Sequence, residues 1–445
     1  MLNGHDLEVI AREPGLPGLS ILLDPERALG LLQRLYPEQE IRDLSLSYLK
    51  YKPHTNCLAG FAAGVGAQKA IRISAKAYPE KEYAKERARC QKGNGAGQGG
   101  HEPHFVDAWQ LAVWSFPRDR KLPGLAALGE ADACRRLLQD LLPAMPELWP
   151  AGMETLRYKN ERRYVGKLLV GGAARALIKV YEARDFKNAC RAARTIGAFA
   201  ADGGLSVAGP LGISQDERII ISRWLDGRPL RQLLHEVRDL SRKPGQLQAV
   251  GAALAGFHRE SPGSLAMAAP ENEALSVLAA ANATAFLCPA LAVRLRRLAA
   301  RIGAELLSMP LPHHPIHGDF SSDQVLVDGA DDGGIAIVDY DQVRIGDPAA
   351  DLGSFTAQLF YDEAAGALAA GTAAALADVV LKGYLEACGQ RETLLRYNLH
   401  TAAKLLQLTP QAFRTRHPQW PELMARLVYH AVAFWRNHAR HETGT

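Results

Sequence analysis

The sequence lacks any CxxC pair; its six cysteines (Cys57, Cys90, Cys134, Cys190, Cys288, Cys388) are scattered along 445 residues. That speaks against a zinc ribbon or a disulfide framework and fits a reducing compartment. There is no block of five like charges, and 52 basic residues against 48 acidic ones leave only +4. So mild a balance is no nucleic-acid footprint, and no nucleic-acid partner is expected. The opening MLNGHDLEVIAREPG carries acids and lacks an apolar h-region, so no secretory signal is read there. One charge-free run, Leu275 to Val293, approaches membrane-spanning length, but it contains Ser276, Asn282, Thr284 and Pro289. It reads as a buried or half-buried helix. A cytoplasmic protein with no membrane partner is the expectation.

What is present is an ordinary globular composition, 47% hydrophobic and 22% charged. At roughly 150 residues per domain the chain holds about three domain-equivalents. Two stretches resemble each other. YLKYKPHTNCLAGFAA, followed by KAIRISAKAYPEKEYAKERARC, parallels TLRYKNERRYVGKLLVGG, followed by ARALIKVYEARDFKNACRAARTIGAF. Each reads as strand, polar turn, strand, then a lysine-bearing strand before a helix, with Lys76 and Lys179 in matching places. One sequence does not separate a duplication from two independent basic hairpins. Between them, KGNGAGQGGHEPH follows a predicted helix rather than a strand. It therefore reads as a connector, not a phosphate loop.

The chemistry concentrates in PIHGDFSSDQVLVDGADDGGIAIVDYDQVRIGDPAADLGSF, Pro315 to Phe355. QVLVD and IAIVD are short apolar strands joined by the turn GADDGG, a hairpin signal. An antiparallel hairpin brings its open ends together, so Gln324 faces Asp339. Two converging side-chain oxygens, one of them a carboxylate's, suit a hard cation such as Mg²⁺. Asp319 lies on the loop entering the hairpin, where it can meet a substrate hydroxyl. Asp347 and Pro348 form a helix N-cap and N1 pair. Asp351 and His317 read as supports of the loop rather than as reacting groups.

HGDF…DQVLVD followed by IVDYDQVRIGDPAADLG closely resembles the signature of aminoglycoside phosphotransferase-like kinases. Upstream, IIISRWLDGRPL resembles the last small-lobe strand and hinge, and LAGFHRES the helix after it. The resemblance covers about Thr155 to Phe355. It implies an α+β, protein-kinase-like fold, with a small β-rich N-lobe, a larger helical C-lobe and an additional N-terminal α+β domain. The implied division is 1–150 for an accessory domain, in which a degenerate copy of the N-lobe is one reading. The N-lobe and hinge then occupy 151–230, and the helical C-lobe with its catalytic hairpin 231–445. It implies ATP as co-substrate and Mg²⁺ as cofactor. Asp319 would be the catalytic base, and Gln324 and Asp339 the metal ligands. Lys179 would sit on the nucleotide phosphates, and the backbone at Trp224 and Leu225 would meet adenine. Lys179 precedes Asp319 by 140 residues, the family's scale, whereas Lys76 precedes it by 243.

Two positions depart from the family pattern. Gln324 stands where the family usually has asparagine, as in maltokinase-like proteins, one sugar-kinase branch. The helix after Lys179 has no glutamate, and Glu182 and Asp185 read as lying on the connecting loop.

From Ser354 to the end there are seven acids and nine bases, a poor match for a polycationic acceptor. The expected activity is phosphorylation of a small-molecule hydroxyl, foremost on a sugar or glycoside, with Trp420, Tyr429 and Trp435 available for stacking. The alternatives are an aminoglycoside or macrolide phosphotransferase, and a catalytically weak nucleotide-binding pseudokinase.

Overall fold

The computed structural model describes residues 2–65, 69–92, 103–199, 207–236, 244–328, 334–389 and 392–443. Most of the Gly-rich connector and of the GADDGG turn lies outside them. Three helices come first, α1 (Gly4–Ala11), α2 (Leu19–Leu22) and α3 (Pro25–Leu35). Strands β1 (Ile41–Lys52), β2 (Asn56–Val65) and β3 (Lys69–Ala77) precede α4 (Glu80–Lys92), β4 (His104–Val106) and β5 (Leu111–Ser115). After α5 (Leu125–Leu128) and α6 (Ala131–Leu141) come β6 (Gly152–Lys159), β7 (Arg163–Val170) and β8 (Ala173–Tyr181). Helix α7 (Ala183–Phe199), β9 (Pro210–Ser214) and β10 (Ile219–Arg223) complete this part.

The first five strands form a sheet in the order β1–β2–β3–β5–β4, and the next five one in the order β6–β7–β8–β10–β9. The plan is the same in each: a hairpin, a third strand carrying the lysine, a helix, and two strands of which the later lies beside the third. Ser74 to Ala77, around Lys76, pair with Leu111 to Trp114 on one side and Cys57 to Gly60 on the other.

The rest is helical around a small β element. Strand β11 (Arg228–Pro229) leads into α8 (Leu230–Glu236), α9 (Pro244–Arg259), α10 (Pro270–Leu287) and α11 (Ala292–Ser308). Strands β12 (His314–Ile316), β13 (Val325–Val327), β14 (Ile335–Ile337) and β15 (Arg344–Gly346) follow. Helices α12 (Pro348–Ala364), α13 (Thr372–Cys388), α14 (Thr393–Leu408), α15 (Gln411–Arg414) and α16 (Trp420–Thr443) close the chain. The charge-free run falls on α10 and the turn after it, with Leu275 and Leu278 exposed and Val277 and Ala281 buried. No described helix is long and apolar enough to cross a membrane.

The chain divides into two compact units. One comprises Met1–Ala174, Ile178–Ala183 and Ser214–Ile219; the other comprises Arg175–Leu177, Arg184–Ile213 and Ile220–Thr445. Within the first unit, Lys76 is almost buried and its ammonium meets Glu161 at 2.8 and 3.0 Å. Glu82 and Glu86, nearer in sequence, are taken by Lys85 and by Arg89 and Arg120. The partner of Lys76 thus comes from the β6–β7 turn, where Glu161 has φ +59°.

Within the second unit, α9 and α13 cross at Gly251 and Gly383. A Cβ on the first would strike the Val380 carbonyl, and on the second the Gln248 carbonyl. Only glycine allows the two backbones this close. The same core takes in Leu254, Phe257, Leu352, Phe355, Val380 and Tyr384. Phe320 is fully buried and stacks on Phe355 at 5.5 Å. Burying such a side chain contributes roughly 1.5–3 kcal/mol. The loop that bears Asp319 is therefore anchored by the residue immediately after it.

Candidate functional site

The hairpin forms as the pattern predicts: Val325 pairs with Ile337 and Val327 with Ile335. Beyond the last pair, the Val338 N–H donates to the Gln324 carbonyl at 2.9 Å. Gln324 and Asp339 are thereby brought to one end of the hairpin. Asp339 is half-buried, with φ +65° and ψ +52°. Few non-glycine residues hold that left-handed conformation without a local reason, although aspartate is among those that tolerate it.

Asp351, fully buried on α12, organises the loop above the hairpin. Its Oδ2 accepts from the His317 N–H at 2.6 Å and its Oδ1 from the Gly318 N–H at 2.8 Å. His258 on α9 completes the set, with Nε2 3.0 Å from Oδ2 and Nδ1 2.9 Å from the Tyr384 hydroxyl. Burial works to raise the Asp351 carboxyl, but His258, His317 and the loop amides outweigh it and hold it below its ordinary value. The His317 ring then reaches the hairpin, with Nε2 2.9 Å from the Val338 carbonyl. One buried carboxylate and one imidazole thus fix the loop relative to Gln324 and Asp339. Gly318 needs to be glycine here, because its φ is +79° and a Cβ would collide with Arg344 and the Gln342 carbonyl.

Asp319 follows, its side chain 58% exposed and its Oδ1 3.1 Å from the Lys404 ammonium of α14. Desolvation and the nearby Asp339 push its carboxyl up. Lys404 and, to a lesser degree, His317 outweigh them, so it lies below the ordinary carboxylate value. Asp319 is ionised at neutral pH and close enough to Asp339 to feel its charge.

Asp347 caps α12 by accepting from the Ala349 N–H at 3.0 Å, with Pro348 at N1, as the sequence predicts. It also binds Arg396 and lies 3.4 Å from His400 Nε2, while His400 Nδ1 meets Glu273 at 3.1 Å. Burial disfavours charge on His400, but Glu273 and Asp347 push its pKa up to about 10. The imidazole is a buried cation.

Within the second unit lies a cavity of about 490 Å³ walled by Gly318, Lys404, Arg344 and the α7 face of Arg184, Asn188 and Arg191; Asp319 does not line it but adjoins it through Gly318 in sequence and Lys404 by ion pair. Its charged lining also includes His400, Glu273 and Asp341. Trp420, Tyr429 and Trp435, expected as stacking platforms, do not line it. Trp420 is buried against Phe413 at 5.2 Å, and Tyr429 is 65% exposed on α16. Lys404 escaped the sequence reading because a lysine on an otherwise ordinary helix carries no local signal.

Lys179 lies on β8 in the first unit, 9% exposed. Glu182 precedes α7, whereas Asp185, expected on the loop, occupies that helix's first turn. Trp224 and Leu225 lie in the segment between β10 and β11, where the Trp224 N–H donates to the Arg175 carbonyl at 3.2 Å. Gln324 and Asp339 supply an amide and a carboxylate oxygen, a fitting pair for Mg²⁺. No group of three or more His, Cys, Asp or Glu among the described residues could hold a metal. An ion at the hairpin end would need phosphate oxygens and water as well.

The pattern of residues 158–389 matches the Phosphotransferase enzyme family. The chain belongs to the phosphotransferase enzyme family. Its α+β, protein-kinase-like architecture is the one the resemblance implied. No curated protein matches the chain. Among solved structures, a choline/ethanolamine kinase family protein from Mesorhizobium loti is similar at 16% identity and TM-score 0.47, over 70% of this chain and 97% of that one. A choline kinase from Cryptosporidium parvum is similar at 10% identity and TM-score 0.47, over 71% and 97%. An aminoglycoside-3'-phosphotransferase of type VIII shows 18% identity and TM-score 0.40, over 59% and 97%.

Proposed function

We propose that this phosphotransferase moves the γ-phosphoryl group of ATP onto a hydroxyl of a small molecule, foremost a sugar or glycoside. In this reading Asp319 accepts the hydroxyl proton as the acceptor oxygen bonds to the γ-phosphorus. The bond from that phosphorus to the β–γ bridging oxygen breaks, and ADP leaves. Asp339 and Gln324 would hold Mg²⁺, which supplies positive charge at the phosphates. Lys179 would pair with the α- and β-phosphates. Because the Trp224 N–H is committed to Arg175, adenine would be met by the Trp224 carbonyl and the Leu225 N–H.

The observation that carries this reading is the bracing of the Asp319 loop. A buried Asp351 accepts from the two N–H groups just before Asp319, and His317 ties the loop to the hairpin end holding Gln324 and Asp339. Phosphoryl transfer asks for this kind of fixed placement. The decisive test is Asp319→Asn, assayed for transfer from Mg·ATP across sugars, aminoglycosides and macrolides. Turnover should fall by roughly 10²–10⁴ or more while Mg·ATP binding persists. Near-wild-type turnover would sink the assignment.

A further inference from the structure

The cavity beside Asp319 has a charge pattern that the overall composition conceals. Arg184, Arg191, Arg344 and Lys404 line it, with the carboxylates Glu273 and Asp341, and of these cations Lys404 is ion-paired with Asp319 at 3.1 Å. Glu273 is spent on His400, itself a cation. Among the described residues, neither Arg184 nor Arg191 has a carboxylate partner. Among the described residues, the Arg344 guanidinium donates to the carbonyls of Gln342, at 3.0 Å, and Gly318, at 3.5 Å. Between the cations stand neutral hydrogen-bonding groups, Asn188, Asn272, Gln342, Gln407, Ser276 and Ser354.

The helix contribution is regular. Arg184, Asn188 and Arg191 recur at four- and three-residue spacing on α7 and share one face. This is the helix in which the resemblance calls for a glutamate. Its cavity-facing stripe carries arginines. Arginine forks match carboxylates and phosphates bidentately, and cations gathered in a concave site focus anions.

The geometry points to a cavity that takes a hydroxylated acceptor carrying an anionic group, a carboxylate or a phosphate, with Arg184 and Arg191 reading that anion. This rests on the kinase reading above and narrows its acceptor from sugars in general to acidic or phosphorylated ones. A polycationic acceptor would meet several unpaired guanidinium groups and would be rejected.

The test is isothermal titration of the whole protein, first with Mg·AMP-PNP and then, on the nucleotide-saturated protein, with four probes. These are gluconate, inorganic phosphate, glucose and kanamycin. At least one anion should bind about tenfold or more tightly than glucose, weakening as salt rises. Gluconate against phosphate tells which anion chemistry is preferred. In Arg184→Gln/Arg191→Gln that preference should fall to within about twofold of glucose, with Mg·AMP-PNP affinity unchanged. Three outcomes overturn the proposal: anions no tighter than glucose, kanamycin tighter than both, or a double variant that keeps the anion preference. Weakened Mg·AMP-PNP binding in the double variant would assign the arginines to the nucleotide and overturn it too. Failure of the wild type to bind Mg·AMP-PNP would sink the kinase reading instead, and the same four titrations on the free protein would still decide the cavity.

Discussion

Lys404 of α14 reaches Asp319, placing an ammonium 3.1 Å from the carboxylate that we assign as the base. The pair is partly exposed, so its value for stability is small. Its value for protonation is larger, because Lys404 is the main influence holding the Asp319 carboxyl low against desolvation. Lys404→Met removes that influence, so the Asp319 pKa rises. The acid limb of the kcat against pH profile should then move to higher pH, and Lys404→Arg should restore it. Superimposable acid limbs in wild type and Lys404→Met would show that Lys404 does not set the protonation of the base.

Asp351 makes a second, quite different demand. It is fully buried and satisfies two backbone N–H groups and His258 at once. Asp351→Ala leaves those donors without an acceptor, at a cost of about 3–5 kcal/mol. Urea unfolding should register that loss. In conditions where the variant stays folded, kcat should fall far more than the KM for ATP rises, because the loop carrying Asp319 loses its anchor. Unchanged kcat in a folded variant would refute the bracing role.

The buried His400 makes stability depend on alkaline pH. Its folded pKa of about 10 exceeds the ordinary 6.5, so its stabilising contribution is complete below about pH 6.5 and disappears as pH rises toward 10. Asp347 and Glu273 have depressed values and act oppositely; their contribution is present above the ordinary carboxylate range and lost on acidification. Wild-type Tm should decline between pH 7 and 10, and His400→Gln should show a flatter decline from a lower starting Tm. Parallel curves would contradict a charged His400.

Much of the site's layout was legible because its residues lie close together in sequence. His317 to Asp351 contains the loop, the hairpin and the helix cap, and alternating apolar residues fix the hairpin register without reference to the rest of the chain. What was not legible depends on residues brought together from afar. Lys404 is 85 residues from Asp319. The partner of Lys76 is Glu161, on a turn 85 residues away. Trp420 looked available for stacking, yet helix packing buries it. Nor does anything in the sequence tell that the face of α7 carrying Arg184 and Arg191 lines a cavity.

Gln324 offers a graded test of the metal reading. Its amide oxygen sits on a side chain one methylene longer than the family's usual asparagine. Gln324→Asn should therefore raise the Mg²⁺ requirement modestly, and Gln324→Ala much more. Asp339→Ala should weaken Mg·ATP binding and turnover together, since it removes the carboxylate. A Gln324→Ala enzyme with a wild-type Mg²⁺ titration would remove Gln324 from the ligand set.

The last prediction separates the two lysine-bearing strands. Lys76 and Lys179 occupy matching strands, β3 and β8, of two sheets with the same order, and both are nearly buried. Burial and Lys121 favour the neutral amine at Lys76, and Glu161 opposes them, so its pKa lies below the ordinary lysine value. Its ammonium is engaged by Glu161 at 2.8 Å, and Glu161 is also held by Lys121 at 2.8 Å. A lysine so engaged reads as structural. Lys76→Met should cost about 1–3 kcal/mol, moderated because Lys121 still neutralises Glu161, and should leave the KM for ATP within about twofold. Lys179→Met should raise the KM for ATP and lower kcat, because the amine proposed to neutralise phosphate charge is gone. Urea unfolding and ATP kinetics on both variants decide the matter. If Lys76→Met proved the more damaging change for ATP, the first sheet rather than the second would be the nucleotide lobe.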